Sequence, residues 1–373
     1  MSSDDRMSAA AQPSPGERAA VAQLNSLAGL FFRSHLPGSW VPPYLRSRGF
    51  SPAVQVQWQV GYAPPGWNAL THYLRNLGWA DEDIERAGLA RRSRRGNLFD
   101  VFRDRAMLPV TTPDGVIAGF IGRASEYAPP DVPKYLNSPR TCLYDKSTLL
   151  FGLYEARRLF AGGASPVLVE GPLDAMAVTT AGDGFFAGVA PCGTALSKRH
   201  LAVLADAADV RSTGALVAFD ADPAGQRAAI RAYHLLCPLT EKIEAAPFQP
   251  GQDPARIHAD DGAWNLYDLL ARRTHPLADV IIDHELQRWE RWLKYPEGQV
   301  NALRAAAPIV VAMPPAHVGR QVARLAIRLG MTDAAVTEAV TDALSESHAI
   351  GRVPRGSKSQ GNNPSRPLRG PAC

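Results

Sequence analysis

Between residues 166 and 250 the chain repeats one rhythm. PVLVEG (166–171) is a short apolar run, and DAMAVTTAG, with helical character, follows it. FFAGVA (185–190) is a second apolar run, and SKRHLAVLADAADV a second helical stretch. ALVAFDAD (215–222) gives a third strand, GQRAAIRAYHLLC a third helix, and KIEAAPF (242–248) closes the series. Short runs that are apolar throughout suit strands buried on both faces. Strands alternating with helices imply a parallel sheet with right-handed crossovers. Upstream, residues 21–99 alternate short helical patterns (VAQLNSLAGLFFRSHL, NALTHYLRNLGW) with turns rich in Pro and Gly. Then AMLPVTT and VIAGFIGR flank PDG, a hairpin signal. Residues 262–349 are mostly helical by apolar spacing and predict a bundle. The two ends, rich in Ser, Pro and Gly with little apolar content, predict disorder.

The fold class predicted is therefore α/β: an α+β N-terminal subdomain, a central parallel-sheet subdomain and a C-terminal helical bundle. The boundaries expected are a disordered 1–20, a basic subdomain 21–160, the parallel-sheet domain 161–261, a helical subdomain 262–349 and a basic disordered tail 350–373. A length of 373 residues accommodates this division. The composition, 46% hydrophobic and 20% charged, is that of a globular protein. No run approaches the ~18 apolar residues of a membrane span, and the N-terminus has no apolar signal core. Four cysteines (Cys142, Cys192, Cys237, Cys373) lie far apart without a CxxC. That argues against a disulfide framework or a structural zinc site and favours a reducing cytoplasm.

Charge is unevenly spread. The net charge is +4, from 40 Lys and Arg against 36 Asp and Glu. The last 23 residues hold five basic groups and no acidic one, so residues 1–350 carry 35 − 36 = −1. A second cluster, Arg86, Arg91, Arg92, Arg94, Arg95, Arg103 and Arg105, faces only Asp100 and Asp104 in sequence. Such clusters contact phosphates by releasing counterions, and they also occur as plain solvated loops.

Chemistry concentrates at strand ends, where open parallel sheets bind their ligands. The first strand ends in Glu170, with Asp174 one turn into the next helix; the third ends in Asp220, followed by Asp222; Asp253 follows the fourth. Carboxylates brought to one edge repel each other unless divalent cations neutralise them. All-oxygen donors of this kind suit Mg²⁺ or Mn²⁺.

EGPLD (170–174) and FDADPAG (219–225) resemble the Toprim signature, shared by bacterial primases, topoisomerases and some nucleases. The upstream blocks choose among these. FDVFRDRAMLPV (99–110), GFIGR (119–123), PKYLNSP (133–139), LYDKSTLLFGLYEA (143–156) and GYAPPGW (61–67) resemble the catalytic core of DnaG-type primases, from about residue 25 to 340. The resemblance implies that Glu170, Asp220 and Asp222 are catalytic metal-binding carboxylates, with Asp174 and Asp253 supporting them. It implies that Lys134, Tyr135, Asn137 and Lys146 line the nucleotide cleft. It implies that Arg103, Arg105 and Arg123 form a basic wall for nucleic acid.

Three departures from the family pattern stand out. Asp253-Pro254-Ala255 replaces Asp-Pro-Asp, removing an accessory carboxylate, and Asp260 and Asp261 lie too far along to substitute. Pro172 and Ala221 replace a common aromatic and a common Gly, while Cys192 stands where Leu is usual and reads as a packing residue. The family's zinc-binding and helicase-binding modules have no counterpart here, so no zinc is expected. The implied activity is two-metal synthesis of short RNA primers from NTPs on single-stranded DNA. The implied partner, a replicative helicase or a separate zinc-bearing protein, acts in trans. The alternatives are a Toprim nucleic-acid-binding accessory protein of a mobile element, or a Toprim nuclease; strand-passage domains of a topoisomerase do not fit the length.

Overall fold

The computed structural model describes residues 14–350. The chain opens with a helix, Pro15–Ser34, which begins inside the stretch expected to be disordered. Its start is coded locally: the Ser14 side chain caps the Glu17 amide, Pro15 occupies the first turn, and Glu17 favours the positive end of the helix dipole. Residues 1–13 and the basic tail 351–373, also expected to be disordered, lie outside the described residues.

The strands, in chain order, are β1 (Gly61–Ala63), β2 (Ala90–Arg92), β3 (Leu98–Asp100), β4 (Arg105–Thr111), β5 (Ile117–Ala124) and β6 (Tyr135–Asn137), then β7 (Leu150–Phe151), β8 (Ser165–Val169), β9 (Phe186–Pro191), β10 (Ala215–Ala218), β11 (Ile243–Ala245) and β12 (His275–Pro276). β4 and β5 form the expected antiparallel hairpin, the centre of a four-stranded sheet ordered β1-β4-β5-β6. β2 and β3 make a separate two-stranded ribbon that carries the arginine-rich segment.

Every residue of β4 is buried because this sheet has a core on each face. Met107 and Phe120 face one cluster with Leu24 and Phe32 of the first helix. Ala106, Leu108 and Val110 point the other way, into a cluster that includes Val167 and Val169 of β8. That second core runs through both sides of the expected boundary at residue 160.

The second sheet is ordered β12-β11-β10-β8-β9-β7. β8 to β11 pair in parallel, as the apolar runs predict, and antiparallel edges β7 and β12 flank them. The helices Pro254–Asp260 and Ala263–Arg272 pack against Pro172–Ala181. The first compact unit consequently extends to His284 and the second starts at Glu285, not at the expected 262. The reason is β12: residues 275–276 complete the sheet edge and keep the preceding helix with it. The second unit contains the helices Pro296–Val311, Pro315–Leu329 and Asp333–Ile350.

Candidate functional site

Parallel pairing sets Ala218 of β10 beside Val169 of β8, so the residues that follow emerge side by side. The Asp220 amide donates to Glu170 Oε1 at 3.1 Å. Gly225 holds this turn closed: a Cβ there would lie 2.1 Å from the Asp220 carbonyl and 2.9 Å from Glu170 Oε1. Asp174, in the first turn of the next helix, accepts from the Gly171 amide through Oδ2 and from the Ala255 amide through Oδ1, each at 3.1 Å. Glu170, Asp174, Asp220 and Asp253 line one cavity of about 300 Å³, and Ala255, the family departure, lines it too.

These carboxylates strain against each other. Burial, then Asp253, pushes Asp174 up to about 7. Burial, then Asp220, raises Glu170, and burial, then Asp253, raises Asp220. Asp222 does not line the cavity. Its Oδ1 caps the helix Pro223–Leu236, accepting from the Ala224 and Gly225 amides at 2.8 and 2.7 Å, although its charge still adds to the rise at Glu170. Asp253 likewise caps the helix Pro254–Asp260 through the Arg256 amide at 2.6 Å. Among the described residues, no three His, Cys, Asp or Glu side chains converge into a ready shell for a metal ion. The donor set still fits a hard divalent cation: the donors are carboxylate oxygens, and their crowded charge is what a cation relieves.

Opposite the acids stand Lys134, Tyr135 and Asn137 of the β5–β6 edge, with Arg123 and Arg48. The Asn137 amide rests against Gly193, where a Cβ would lie 2.5 Å from Asn137 Nδ2 and the φ of 69° itself favours glycine, and its Oδ1 accepts from Tyr144. Burial raises the Tyr135 hydroxyl well above its usual range, so it stays protonated as a donor. Burial pushes the Cys192 thiol up to about 12, which makes it a packing group.

The structure does not bring every expected site residue to this cavity. Lys146 does not line the cavity; its carbonyl is held by His200 Nε2 at 2.7 Å, on the loop before β7. His200 Nδ1 accepts from the Ser197 amide, so Nε2 carries the proton and donates. The three arginines do not form one wall. Arg105 is buried and spends its guanidinium on the Gly122 and Pro133 carbonyls at 3.0 and 2.9 Å. Arg123 lines the acidic cavity, stacked 4.4 Å over Tyr44. Arg103 lies 4.3 Å over the exposed ring of Trp67 and 5.6 Å over Phe99. Asp222, a helix cap, also lies outside the lining.

Sequence reasoning missed Arg48 and Trp67. Trp67 stood in a quoted motif, GYAPPGW, and its pairing with an arginine-rich segment was the available signal. Arg48 had none, since only tertiary packing brings the end of the helix Val41–Ser47 to this cavity.

Residues 32–157 match the model of the DNA primase catalytic core, N-terminal domain, and residues 167–258 match a Toprim-like model. The DNA primase of Mycolicibacterium smegmatis is 36% identical over 301 residues, 79% of this chain and 46% of that protein. The DNA primase of Streptomyces coelicolor is 33% identical over 324 residues, 85% of this chain and 50% of its own length. The chain thus spans about half the length of the curated relatives it matches. Among solved structures, the RNA polymerase domain of Mycobacterium tuberculosis primase DnaG superposes with a TM-score of 0.71 at 32% identity, covering 83% of this chain and 98% of that one. A DnaG primase catalytic domain bound to single-stranded DNA gives 0.70 at 27% identity, covering 86% and 99%.

Proposed function

Because the chain belongs to the DnaG-type primase family, whose RNA polymerase domain it covers nearly end to end, we propose that it synthesises short RNA primers on single-stranded DNA from nucleoside triphosphates. One observation carries the reading: carboxylates from the ends of β8 and β10 share a single cavity with Lys134, Arg123 and Arg48. Nucleotidyl transfer needs both halves, acids to hold cations at the reacting oxygens and bases to hold the triphosphate.

In this reading Glu170 and Asp220 would hold the cations, with Asp174 and Asp253 completing the charge and Asp222 acting through its charge on Glu170. Mg²⁺ or Mn²⁺ bound there would supply Lewis acidity for a 3′-hydroxyl nucleophile and charge for a pyrophosphate leaving group. Lys134 and Arg123 bind phosphate oxygens, and Asn137 and Tyr135 donate hydrogen bonds that orient the nucleotide. The template strand follows Arg103 and the exposed face of Trp67, where a base stacks on the indole while the guanidinium meets phosphate. Phosphate contacts carry no base information, so start-site choice falls to a partner, a replicative helicase or a zinc-bearing protein. We place the reaction in the cytoplasm; among the described residues no helix is long and apolar enough to cross a membrane.

A second reading, a Toprim protein that binds nucleic acid without polymerising, is favoured by Ala255 and by the absence of a ready shell of donors among the described residues. Incubation with labelled NTPs, Mg²⁺ or Mn²⁺ and single-stranded templates of varied sequence separates the two. Labelled oligoribonucleotides that disappear with Glu170→Gln support synthesis; strand binding without any product supports the binder.

A further inference from the structure

A second cavity adjoins the acidic one and shares Arg48, Arg123 and Lys134 with it. The rest of its wall is the loop after β5, which supplies Glu126. Glu126 is the single carboxylate among these lining residues, set against three cations. Arg48 Nη2 donates to Glu126 Oε1, and Arg123 Nη2 stands 3.7 Å from the same oxygen. The two arginines differ in freedom. Arg123 is 4% exposed, is packed over Tyr44, and has a buried Nε with no hydrogen-bond partner. Arg48 keeps about a third of its side chain exposed, and Glu126 about half.

One carboxylate cannot satisfy three cations, and the excess positive charge sits against the four acids of the neighbouring cavity. A ligand that spans both must carry several phosphate oxygens at the basic end and meet cations at the acidic end. We propose that Glu126 stands in for a phosphate: it holds Arg48 while the cavity is empty, and the triphosphate of an incoming nucleotide displaces it. Arg48 is then a nucleotide-binding residue and Glu126 a competitor built into the chain. This rests on the nucleotide-polymerising reading above. The phosphate chemistry alone would also admit the backbone of a DNA strand; the position against the metal-binding acids favours the nucleotide.

The test is the equilibrium binding of a fluorescent ATP, with Mg²⁺, to the full chain and three variants. An exposed ion pair is worth little, so Glu126→Gln should tighten ATP by about 2- to 5-fold. Arg48→Ala removes a charged donor to phosphate and should weaken ATP by about tenfold. In Arg48→Ala/Glu126→Gln the gain should vanish, leaving the affinity of Arg48→Ala. A gain of affinity cannot come from misfolding, which protects the first arm. If both single variants weaken binding, or if the gain survives in the double variant, the pair is only a brace for the loop and the proposal falls. A labelled single-stranded oligonucleotide tests the other source: a change confined to it overturns the assignment to nucleotide. Wild-type protein that binds DNA but no ATP sinks the polymerising reading itself, whereas wild-type ATP binding with unmoved variants sinks only the role of Glu126.

Discussion

At the scale of residues, Asp174 would couple folding to metal binding if the proposed site holds a cation. Burial, then the Asp253 charge, pushes its carboxyl up to about 7 from an ordinary 3.8. A raised carboxyl pKa means that the fold holds its proton more tightly than the unfolded chain does, so this group favours folding below about pH 4 and loses that contribution as pH rises through 7. A divalent cation favours the ionised form and should reverse the loss. Thermal melts with and without Mg²⁺ should coincide at pH 5 and separate by several degrees at pH 8; equal separation at both would place the cation elsewhere. Ala255 gives a second expectation. Its amide already serves Asp174, and its side chain is buried in the same cavity. Ala255→Asp should lower stability without metal, by about 1–3 kcal/mol for an unpaired buried polar group, and should steepen the Mg²⁺ dependence of synthesis. An unchanged metal titration would separate position 255 from the ions.

At the scale of elements, the same residue type does different work according to the strand that carries it. Arg105 starts β4 and turns inward onto two carbonyls; Arg103 precedes it and turns outward onto Trp67. Arg105→Ala should cost about 2–3 kcal/mol of stability, read as a lower denaturation midpoint. Arg103→Ala should leave stability alone and reduce the salt slope of single-stranded DNA binding by about one. The reverse pattern would restore the single basic wall expected from FRDR. That spacing was legible in the sequence; the inward turn was not, because burial on both faces of β4 depends on a core assembled from residues as distant as Leu24 and Val167. The parallel strands were legible, being apolar along their length. The edges β7 and β12 were not, since two residues carry no period. Missing β12 moved the expected domain boundary from 285 to 262, for amphipathic spacing says that a helix packs but not on what. The acids of the cavity could be read because topology puts strand ends together. Arg48 could not, because no periodic signal brings a short N-terminal helix there.

At the scale of the whole molecule, two compact units imply that stability is not one number. Calorimetry of the intact chain should resolve more than one transition, and metal should move the transition of the unit that contains residues 170–253; a single two-state melt would count against that division. The turn at Gly225 ties the sheet to the chemistry within that unit. Gly225→Ala would force the Asp220 carbonyl away from a contact of 2.1 Å, at a cost of about 1–3 kcal/mol for overpacking. Primer synthesis should fall far more than the melting temperature does, since the displaced residue is Asp220 itself.

The capping roles of the acids bear on how this chain would evolve. Asp222 and Asp253 each hold the start of a helix, and Asp174 holds two backbone amides. A lineage that ceased to polymerise would keep all three under selection for folding alone, so their presence in a descendant would attest to the scaffold and not to the reaction. Asp220 caps no helix. If the proposed reaction runs on it, Asp220 is the position free to drift once catalysis is no longer selected, and whether descendants retain it would be the inherited record of activity.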